Sequence, residues 1–303
     1  MTAAAPEPLY RSDIPGLTVH RGKVRDVYEL DGKLLIVATD RLSAFDVVFP
    51  DPIPEKGAVL TRLSEWWFRR TAPLVPNHFI TADFEEFPEK LKPHRAQLEA
   101  RSMLVRRARP LPGEFIVRGY LDGSAWTAYE FGKHICGIPL LAGLQRRSSF
   151  GTPLFTPTTK AQEGHDLPID FAEFSHQVGR AEAAKGREYA RALYIYAHNY
   201  LHDRGLVLSD TKFEFGMDEE GQLILIDEAL TPDSSRFWLK ESYTPDSGRA
   251  ISLDKQYVRD HVEKEGWNKK PPAPRLPREV IEQTSERYRK AYEMITGEPF
   301  RRA

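Results

Sequence analysis

Residues 209–238, SDTKFEFGMDEEGQLILIDEALTPDSSRFW, decide the fold of this chain and carry most of its chemistry. The first part, Lys-Phe-Glu-Phe at 212–215, alternates polar and apolar side chains as a half-buried strand does. Residues 216–221 are acidic and rich in turn formers, and Leu-Ile-Leu-Ile at 223–226 is a short apolar run. The pattern predicts a β-hairpin whose open end carries acids and a lysine.

The open end of this hairpin has the residues of a magnesium-nucleotide site. Residues two apart on a strand share a face, so Lys212 and Glu214 are neighbours, and closing the hairpin brings Glu214 near Asp227. Mg²⁺ prefers one or two carboxylates with phosphate oxygens and waters, and a lysine offers a point charge to the phosphates. Carboxylates beside a hairpin are more often simply solvated. These acids lie at the ends of apolar strands, just before a polar turn at 231–236. This position favours a metal-binding role over simple solvation.

That turn is Thr-Pro-Asp-Ser-Ser-Arg at 231–236, a turn by composition. Arg236 can bind a carboxylate through two parallel hydrogen bonds, and Asp233 can accept a hydrogen bond from an amine. Together they could hold an amino acid. The alternative is a capped turn before a helix, and it is the better explanation for Ser234 or Ser235 taken singly.

The composition excludes several classes of protein. The 303 residues have a net charge of -1, 41% hydrophobic residues and a mean hydropathy of -0.50, which is ordinary for a globular protein and gives no basic field for nucleic acid. The only cysteine, Cys136, excludes an internal disulfide and suits a reducing compartment. No apolar run approaches the ~20 residues that cross a bilayer, and no signal peptide is evident. We expect a cytoplasmic protein with no membrane partner, and the oligomeric state stays open.

Five blocks of sequence resemble one enzyme family. They are SDTKFEFG and IDEALTPDSSRFW within the opening stretch and, upstream, GKVRDVY, DRLSAFD and VRGYLDGSAW. They resemble the phosphoribosylaminoimidazole-succinocarboxamide synthase (SAICAR synthetase) family, and the matching blocks run from residue 22 to about 256. The resemblance implies an ATP-dependent ligase of purine biosynthesis. It joins L-aspartate to the carboxylate of carboxyaminoimidazole ribotide (CAIR) and gives SAICAR, ADP and phosphate, with Mg²⁺ as cofactor.

The resemblance also implies a two-lobed α+β fold. A kinase-like, β-rich ATP-binding lobe takes residues 1–110, an ATP-grasp-like lobe for substrate and metal takes 111–303, and the nucleotide lies between them. The residues themselves show a break at Pro110, Pro112 and Gly113, between predicted strands at 103–109 and 115–118. Pockets often lie between lobes. We expect the backbone of this hinge to contact adenine, at Arg106, Arg107 and Ala108.

Other elements follow from periodicity and turn signals. Asp31-Gly32 between two strand-like runs predicts a hairpin over residues 22–39. Apolar residues at helical spacing predict helices at 59–71, 180–204, 254–263 and 277–295, the last with a structural role. Residues 1–15 are expected to form a loose arm.

Two predicted site segments lie in the first third of the chain. Lys23 and Arg25 fall on one face of a predicted strand, where two cations can cover a polyphosphate or can simply be solvated. The resemblance places them near ATP. Ser43 and Asp46 lie in a polar loop after a buried strand, where sites are common, although helix capping could explain Ser43. The resemblance places both at the substrate site.

Three further residues are expected at the substrate site. Arg118 ends an apolar strand and Ser124 follows a glycine, a combination that suits a phosphate, with a strand-end salt bridge as the alternative for Arg118. The resemblance assigns both to the ribotide. Residues 156–170 read as a loop that covers the substrate, with Lys160 facing the site. A zinc site at His165-Asp166 is disfavoured because no further ligands have metal spacing.

The remaining candidates complete the reaction. Lys255 and Gln256 begin a predicted helix, where free N–H groups favour anions, and the resemblance places them near substrate. The implied mechanism passes through an acyl phosphate: the CAIR carboxylate attacks the γ-phosphate, and the amine of aspartate then displaces phosphate. In it Lys212 neutralises charge, and Asp210 is either a base for the amine or an orienting group.

Two rival functions need the same residues. A small-molecule kinase would use the Asp-x-Lys at 210–212 and the same metal carboxylates, although no HRD, DFG or GxxxxGK[ST] motif is present. A nucleotide-binding regulatory protein would bind ATP without chemistry. It would not need the turn at 231–236.

Overall fold

A computed structural model of the protein describes residues 7–160, 166–244 and 250–301. These residues form a mixed α/β fold built on two larger antiparallel sheets. The strands of the first sheet are, in chain order, β1 (Val19–Arg21), β2 (Arg25–Leu30), β3 (Lys33–Ala38), β6 (Phe79–Thr81) and β7 (Ser102–Arg106). A two-stranded hairpin lies between β3 and β6 in the chain, β4 (Ser43–Ala44) and β5 (Val47–Val48). The first sheet has the order β1-β2-β3-β7-β6.

The second sheet is organised around one long strand. Its members are β8 (Arg109–Pro110), β9 (Gly113–Tyr120), β12 (Ser149–Phe155), β13 (Thr158–Thr159), β14 (Leu206–Met217), β15 (Leu223–Ile226) and β16 (Ser235–Leu239). The path β12-β9-β14-β15 is extended by β13 on β9 and by β8 and β16 on β14. A separate hairpin is formed by β10 (His134–Ile135) and β11 (Ile138–Pro139). Strand β14 therefore pairs directly with β9, β15 and β16, the strands that carry or adjoin the other predicted site residues of this sheet.

The helices pack against the sheets and against one another. They are α1 (Lys56–Thr71), α2 (Arg95–Leu98), α3 (Ser124–Gly132), α4 (Phe171–Val178), α5 (Arg180–His202), α6 (Gln256–Lys264) and α7 (Arg278–Thr296). Short 3-10 turns occupy Phe84–Glu86, Glu89–His94 and Lys240–Ser242. The predicted helices are confirmed as α1, α5, α6 and α7. Helices α3 and α4 were not predicted from the sequence.

Both predicted hairpins are confirmed. Strands β2 and β3 pair around Asp31 (φ 45°) and Gly32 (φ 78°), and the second of these left-handed positions suits glycine. Strands β14 and β15 pair with Glu214 opposite Ile226. The predicted strand at 103–109 is shorter than expected, because β7 ends at Arg106 and β8 begins a new partnership with β14 at Arg109.

One hydrophobic core extends across both sheets. It contains Ile36 of β3, Trp67 of α1, Phe115 of β9, Phe213 of β14 and Tyr288 of α7. Each large side chain that is fully buried contributes roughly 1.5–3 kcal/mol relative to exposure. Helix α7 therefore closes the core from the C-terminal end of the chain and packs beside α1.

The segment before β6 ties the two sheets together by backbone hydrogen bonds. The N–H of Leu225 donates to the carbonyl of Pro76 at 2.8 Å, and the N–H of His78 donates to the carbonyl of Leu225 at 3.0 Å. Strand β15, which directly precedes Asp227, is therefore fixed against the first sheet as well as against β14.

The expectation of a loose N-terminal arm is wrong for residues 7–15. Ser12 is fully buried, and both its N–H and its hydroxyl donate to Asp26 at 2.8 Å. The N–H of Leu9 donates to Asp40 at 2.7 Å. Buried carboxylates need hydrogen-bond donors, and this segment supplies them. No helix among the described residues is long and apolar enough to cross a membrane.

Candidate functional site

Glu214 and Asp227 lie at the open end of the β14–β15 hairpin. Glu214 pairs with Ile226 in the ladder, and Asp227 is the next residue. Asp227 has φ 70°, which turns the chain out of the strand. Burial raises the pKa of Asp227 to about 6 and the charges of Glu214 and Glu228 add to this, while the guanidinium of Arg25 opposes it. Two acids that interact through a buried site are suited to sharing one cation.

A row of lysines and acids surrounds Glu214. Lys212 Nζ lies 2.7 Å from Glu114 Oε1 and 3.3 Å from Glu214 Oε1, and Lys160 forms an ion pair with Glu214. Burial alone would raise the pKa of Glu214, but the ammonium groups of Lys212 and Lys160 outweigh it and lower the pKa to about 2. Glu114 is buried and accepts a hydrogen bond from Thr158 at 2.9 Å.

Glu114 was not identified from the sequence. Its partner Lys212 lies opposite Ile116 in the β9–β14 ladder, so Glu114 and Lys212 meet diagonally across two strands that are about a hundred residues apart in the chain. The acid in Gly-Glu-Phe-Ile has no local signal that distinguishes it from an ordinary strand residue. Only the register of β9 on β14 places it at the site.

The two cations predicted to cover phosphates lie apart. Strand β2 begins at Arg25, so the prediction that Lys23 and Arg25 share a strand face is wrong. Arg25 contacts Asp227 at 2.6 Å and Glu228 at 3.0 Å, whereas Lys23 pairs with Asp46 at 2.5 Å. Arg25 thus links the first sheet to the open end of the β14–β15 hairpin.

Asp210 lies between two arginines. Its Oδ1 accepts from Arg236 Nη1 at 2.7 Å, and its Oδ2 accepts from Arg118 Nη1 at 3.3 Å. The ladder dictates this, because Asp210 pairs with Arg236 of β16 on one side and with Arg118 of β9 on the other. Arg118 also donates to Thr156 at 3.0 Å and to Ser124 at 3.1 Å. The predicted pair Arg118 and Ser124 is therefore brought together.

A glycine makes room for Arg236. A Cβ at Gly123 would lie 2.6 Å from Nη2 of Arg236, and Gly123 has φ 58°. Burial lowers the pKa of Arg236, but the carboxylates of Asp210 and Asp122 more than offset this and raise it, so the guanidinium is fixed as a cation. Arg259 is a further cation here that the sequence did not reveal. Burial lowers the pKa of Arg259, and the neighbouring charge of Arg236 lowers it further.

Asp233 belongs to a buried cluster with Lys56 and Tyr288. Its Oδ2 lies 2.7 Å from Lys56 Nζ, and its Oδ1 accepts from the hydroxyl of Tyr288 at 2.7 Å. Burial would raise the pKa of Asp233, but the charges of Lys56 and Lys255 outweigh it and lower the pKa to about 2. Lys56 and Tyr288 were not identified as site residues. Tyr288 was expected only as an inward position of the terminal helix, and Lys56 lies before the predicted helix at 59–71.

Lys255 precedes α6 rather than lying in its first turn. The helix begins at Gln256, whose N–H donates to Asp254 at 2.7 Å, and the Gln256 amide donates to Asp260 at 2.8 Å. Burial lowers the pKa of Lys255 to about 8, against the opposing charge of Asp233. Within the part of the chain that the structure describes, no hydrogen bond or ion pair to the Lys255 amine is formed. Its charge is available to an anionic ligand.

The remaining predicted residues lie in the β4–β5 hairpin and in the segment from the end of β7. Ser43 and Asp46 belong to the β4–β5 hairpin, with Phe45 (φ 53°) and Asp46 (φ 62°) at its turn, so Ser43 caps no helix. Arg106, Arg107 and Ala108 form the connection between β7 and β8. The Arg106 side chain donates to the carbonyl of Asn77 at 2.5 Å, and Arg107 lies 3.4 Å from Glu29. Both arginine side chains are exposed.

Two other predictions concern metals and cysteine. Residues 161–165 lie outside the described residues, so the His165 part of the disfavoured zinc site has no structural description. Among residues 7–160, 166–244 and 250–301 no group of three or more His, Cys, Asp or Glu side chains could hold a metal ion. Burial raises the pKa of Cys136 to about 11, which makes it a poor nucleophile.

Comparison with known proteins identifies the family. The family model described as SAICAR synthetase matches residues 18–274. A phosphoribosylaminoimidazole-succinocarboxamide synthase of Methylococcus capsulatus is 51% identical over 97% of this chain and 99% of its own length, and one of Pelobacter propionicus is 49% identical over 96% and 98%. The structure of SAICAR-synthase from Saccharomyces cerevisiae complexed with SAICAR is 39% identical, with a TM-score of 0.87 over 96% of this chain and 99% of that chain. The chain therefore belongs to the SAICAR synthetase family, whose members are ligases of purine biosynthesis.

Proposed function

We propose that this chain joins L-aspartate to the carboxylate of CAIR at the expense of ATP, giving SAICAR, ADP and phosphate. One observation carries the proposal. Asp210, Lys212 and Glu214 alternate along β14 and share one face, so a single strand runs from the arginine cluster to the hairpin acids. Two residues of strand span about 6.6 Å, which lets one strand contact a ribotide at one end and a polyphosphate at the other.

The nucleotide end is the hairpin with its surrounding cations. Glu214 and Asp227 have the hard oxygen donors that Mg²⁺ takes, and both carboxylates are at present neutralised by Lys160, Lys212 and Arg25. Glu214 and Asp227 would hold the magnesium ion. When bound, the metal would neutralise phosphate charge. Arg25, Lys212 and Lys23 would contact the phosphates of ATP.

The finer division of the fold is also part of the proposal. We place a β-rich, kinase-like lobe at residues 1–110 and an ATP-grasp-like lobe at 111–303, with the nucleotide between them. The first sheet ends at Arg106 and the second begins at Arg109, which supports a boundary there. The backbone of Arg106, Arg107 and Ala108 would then contact adenine.

The ribotide and the amino acid are assigned to the other end of β14. Arg118 and Ser124 would hold the ribotide phosphate, with Ser43, Asp46 and Lys160 at its edge. Arg236 would bind a carboxylate of L-aspartate, with Asp233, Lys255 and Gln256 nearby. The support is the cluster of cations Arg118, Arg236 and Lys255, whose guanidinium and ammonium groups suit substrates that carry phosphate and carboxylates.

The chemistry proceeds in two steps on this arrangement. An oxygen of the CAIR carboxylate attacks the γ-phosphorus, ADP leaves, and an acyl phosphate forms. The amine of L-aspartate then attacks the acyl carbon, and phosphate leaves with the amide formed. The chain supplies alignment and cations for the charge on the transferred group. Asp210 accepts from two guanidinium groups, so we assign it to orienting Arg118 and Arg236 rather than to removing a proton.

The comparisons give no support to the small-molecule kinase. The deciding experiment measures ADP release from ATP with CAIR, with and without L-aspartate. The ligase releases ADP in full turnover only when L-aspartate is present. A kinase would turn over with CAIR alone, and a regulatory nucleotide binder would release no ADP in either mixture. The substrates are small and water-soluble, and we place the reaction in the cytoplasm.

A further inference from the structure

The carboxylate of Asp233 is held by two helices that are far apart in sequence. Lys56 is the first residue of α1 and has no exposed side-chain surface, and Asp233 exposes 5% of its side chain. Tyr288 lies in the middle of α7 and is also fully buried. Each of the two helices therefore contributes one polar group, and each group contacts a different oxygen of the same carboxylate.

These two helices form one rigid support. Glu55, which precedes α1, forms an ion pair with Arg289 of α7 at 3.1 Å. The hydroxyl of Ser285 donates to the carbonyl of Pro54 at 2.8 Å. The start of α1 and the middle of α7 are therefore fixed to each other beside the Lys56–Asp233–Tyr288 contacts.

A purely stabilising role explains this cluster poorly. A buried lysine and carboxylate cost several kcal/mol each to remove from water, and well-packed apolar residues of similar size are often as stable or more so. The polar contacts of Lys56 and Tyr288 instead fix the position of the Asp233 carboxylate. Asp233 lies in the turn between Asp227 and Arg236.

Asp233 also acts on the groups assigned to substrates. Its charge influences both Lys255 and Arg25, which belong to the substrate end and the nucleotide end of the site. Burial and the neighbouring Asp233 raise the pKa of Tyr288, so its hydroxyl stays protonated and can only donate to the carboxylate. Lys56 and Tyr288 thus keep Asp233 ionised and in one orientation.

We propose that Tyr288 and Lys56 are positioning residues of the ligase: they fix the Asp233 carboxylate and with it the turn at 231–236 that receives L-aspartate. The inference rests on the proposed function, because it takes the amino acid to be bound by that turn. Neither side chain needs to touch a substrate. The C-terminal helix, expected from the sequence to be structural, thereby becomes part of the amino-acid site.

The test compares Tyr288→Phe with Tyr292→Phe. Tyr292 lies one turn further along α7 and is also largely buried, but the structure places no contact between it and Asp233. Loss of a hydrogen bond to a charged group corresponds to about a tenfold change or more. Tyr288→Phe should raise the KM for L-aspartate about tenfold and change the KM for ATP less than about twofold. Tyr292→Phe should leave both constants near the wild-type values.

Two results would overturn the inference. One is kinetics for Tyr288→Phe that match Tyr292→Phe, and the other is an equal loss for ATP, CAIR and L-aspartate, which indicates general loosening. The melting temperatures of both variants show whether they are folded. Failure of the proposed function would give a different result, because the wild-type protein would then show no ADP release that depends on L-aspartate.

A double-mutant cycle separates positioning from packing. In an Asp233→Asn background, adding Tyr288→Phe should change the KM for L-aspartate less than about twofold, because the charge that the hydroxyl fixes is already gone. A further tenfold rise would show that Tyr288 acts independently of Asp233 and would reject the proposal. Activity in this background is measured at high enzyme concentration.

Discussion

Asp227 directly follows the residue that pairs with Glu214 across the β14–β15 ladder, so the two carboxylates stand at the same open end of one hairpin. Burial raises the pKa of Asp227, and the charge of Glu214 raises it further. The two acids therefore share an electrostatic environment. Such a pair is unfavourable unless cations accompany it. Arg25, Lys212 and Lys160 supply them in this structure.

Removing either carboxylate should disable the enzyme. We expect Glu214→Gln and Asp227→Asn each to lower kcat at least a hundredfold while the melting temperature stays near the wild-type value. The double variant should lose little more, since residues that act as a unit are not additive. Glu220→Gln, at the exposed tip of the same hairpin, is the control and should keep full activity. Full turnover of either single variant at ordinary magnesium would refute the metal assignment.

Replacing Arg236 by lysine tests the carboxylate-binding assignment. Lysine keeps the charge but loses the planar fork that contacts Asp210 at 2.7 Å and could bind a substrate carboxylate. Arg236→Lys should raise the KM for L-aspartate at least tenfold and leave the KM for ATP within about twofold. Initial rates over a matrix of the two substrates measure both constants. An equal effect on ATP, or none on L-aspartate, contradicts the assignment.

Gly123 should tolerate no side chain, because a Cβ there would meet the guanidinium of Arg236. Gly123→Ala should lower kcat/KM for L-aspartate more than tenfold. Gly151→Ala is a matched control, since Gly151 also has a positive φ (71°) but no atom lies within 4 Å of its added Cβ. Each variant should lose about 1–2 kcal/mol of stability from the left-handed backbone. Chemical unfolding and kinetics together check this, and equal kinetics of the two variants would show that the space near Arg236 is unimportant.

The activity should fall in alkali as Lys255 loses its proton. Burial lowers the pKa of Lys255 to about 8, so its ammonium is present below this pH and is lost as the pH rises through it. We expect kcat/KM for L-aspartate, which reports groups of the free enzyme, to decrease above about pH 8. Lys255→Arg should move this decrease to higher pH, whereas Lys264→Arg, exposed on α6, should not. An unchanged profile in Lys255→Arg would exclude Lys255 as the titrating group.

The acyl phosphate has an isotopic signature. In the two-step route an oxygen of the CAIR carboxylate leaves with phosphate when the amide forms. With heavy oxygen in that carboxylate, mass spectrometry of the released phosphate should find one labelled oxygen per molecule. Unlabelled phosphate, with the label retained in the amide or lost to water, would reject the route.

Local sequence was sufficient for the elements that local forces specify. The Asp31-Gly32 turn, the alternation from Lys212 to Phe215 and the 3.6-residue spacing in α5 each depend on neighbours in the chain. They predicted both hairpins and the long helices, and the motif blocks predicted the family. The packing of residues 7–15 could not be predicted in this way, because Ser12 is held by Asp26 of β2.

What the sequence by itself determined is therefore the set of elements, the family and which residue types carry the chemistry. The tertiary structure alone decided which charges meet. Asp210 lies between Arg118 and Arg236 because two distant strands pair with β14 in one register, and Glu114 reaches Lys212 for the same reason. Tyr288 shows the limit most clearly, since it looks like a core position of its helix until its hydroxyl is found on Asp233, and Lys56 lies outside the helix predicted at 59–71. The physical reason is that long-range register and the burial of charge depend on contacts between segments far apart in sequence, which local propensity does not encode.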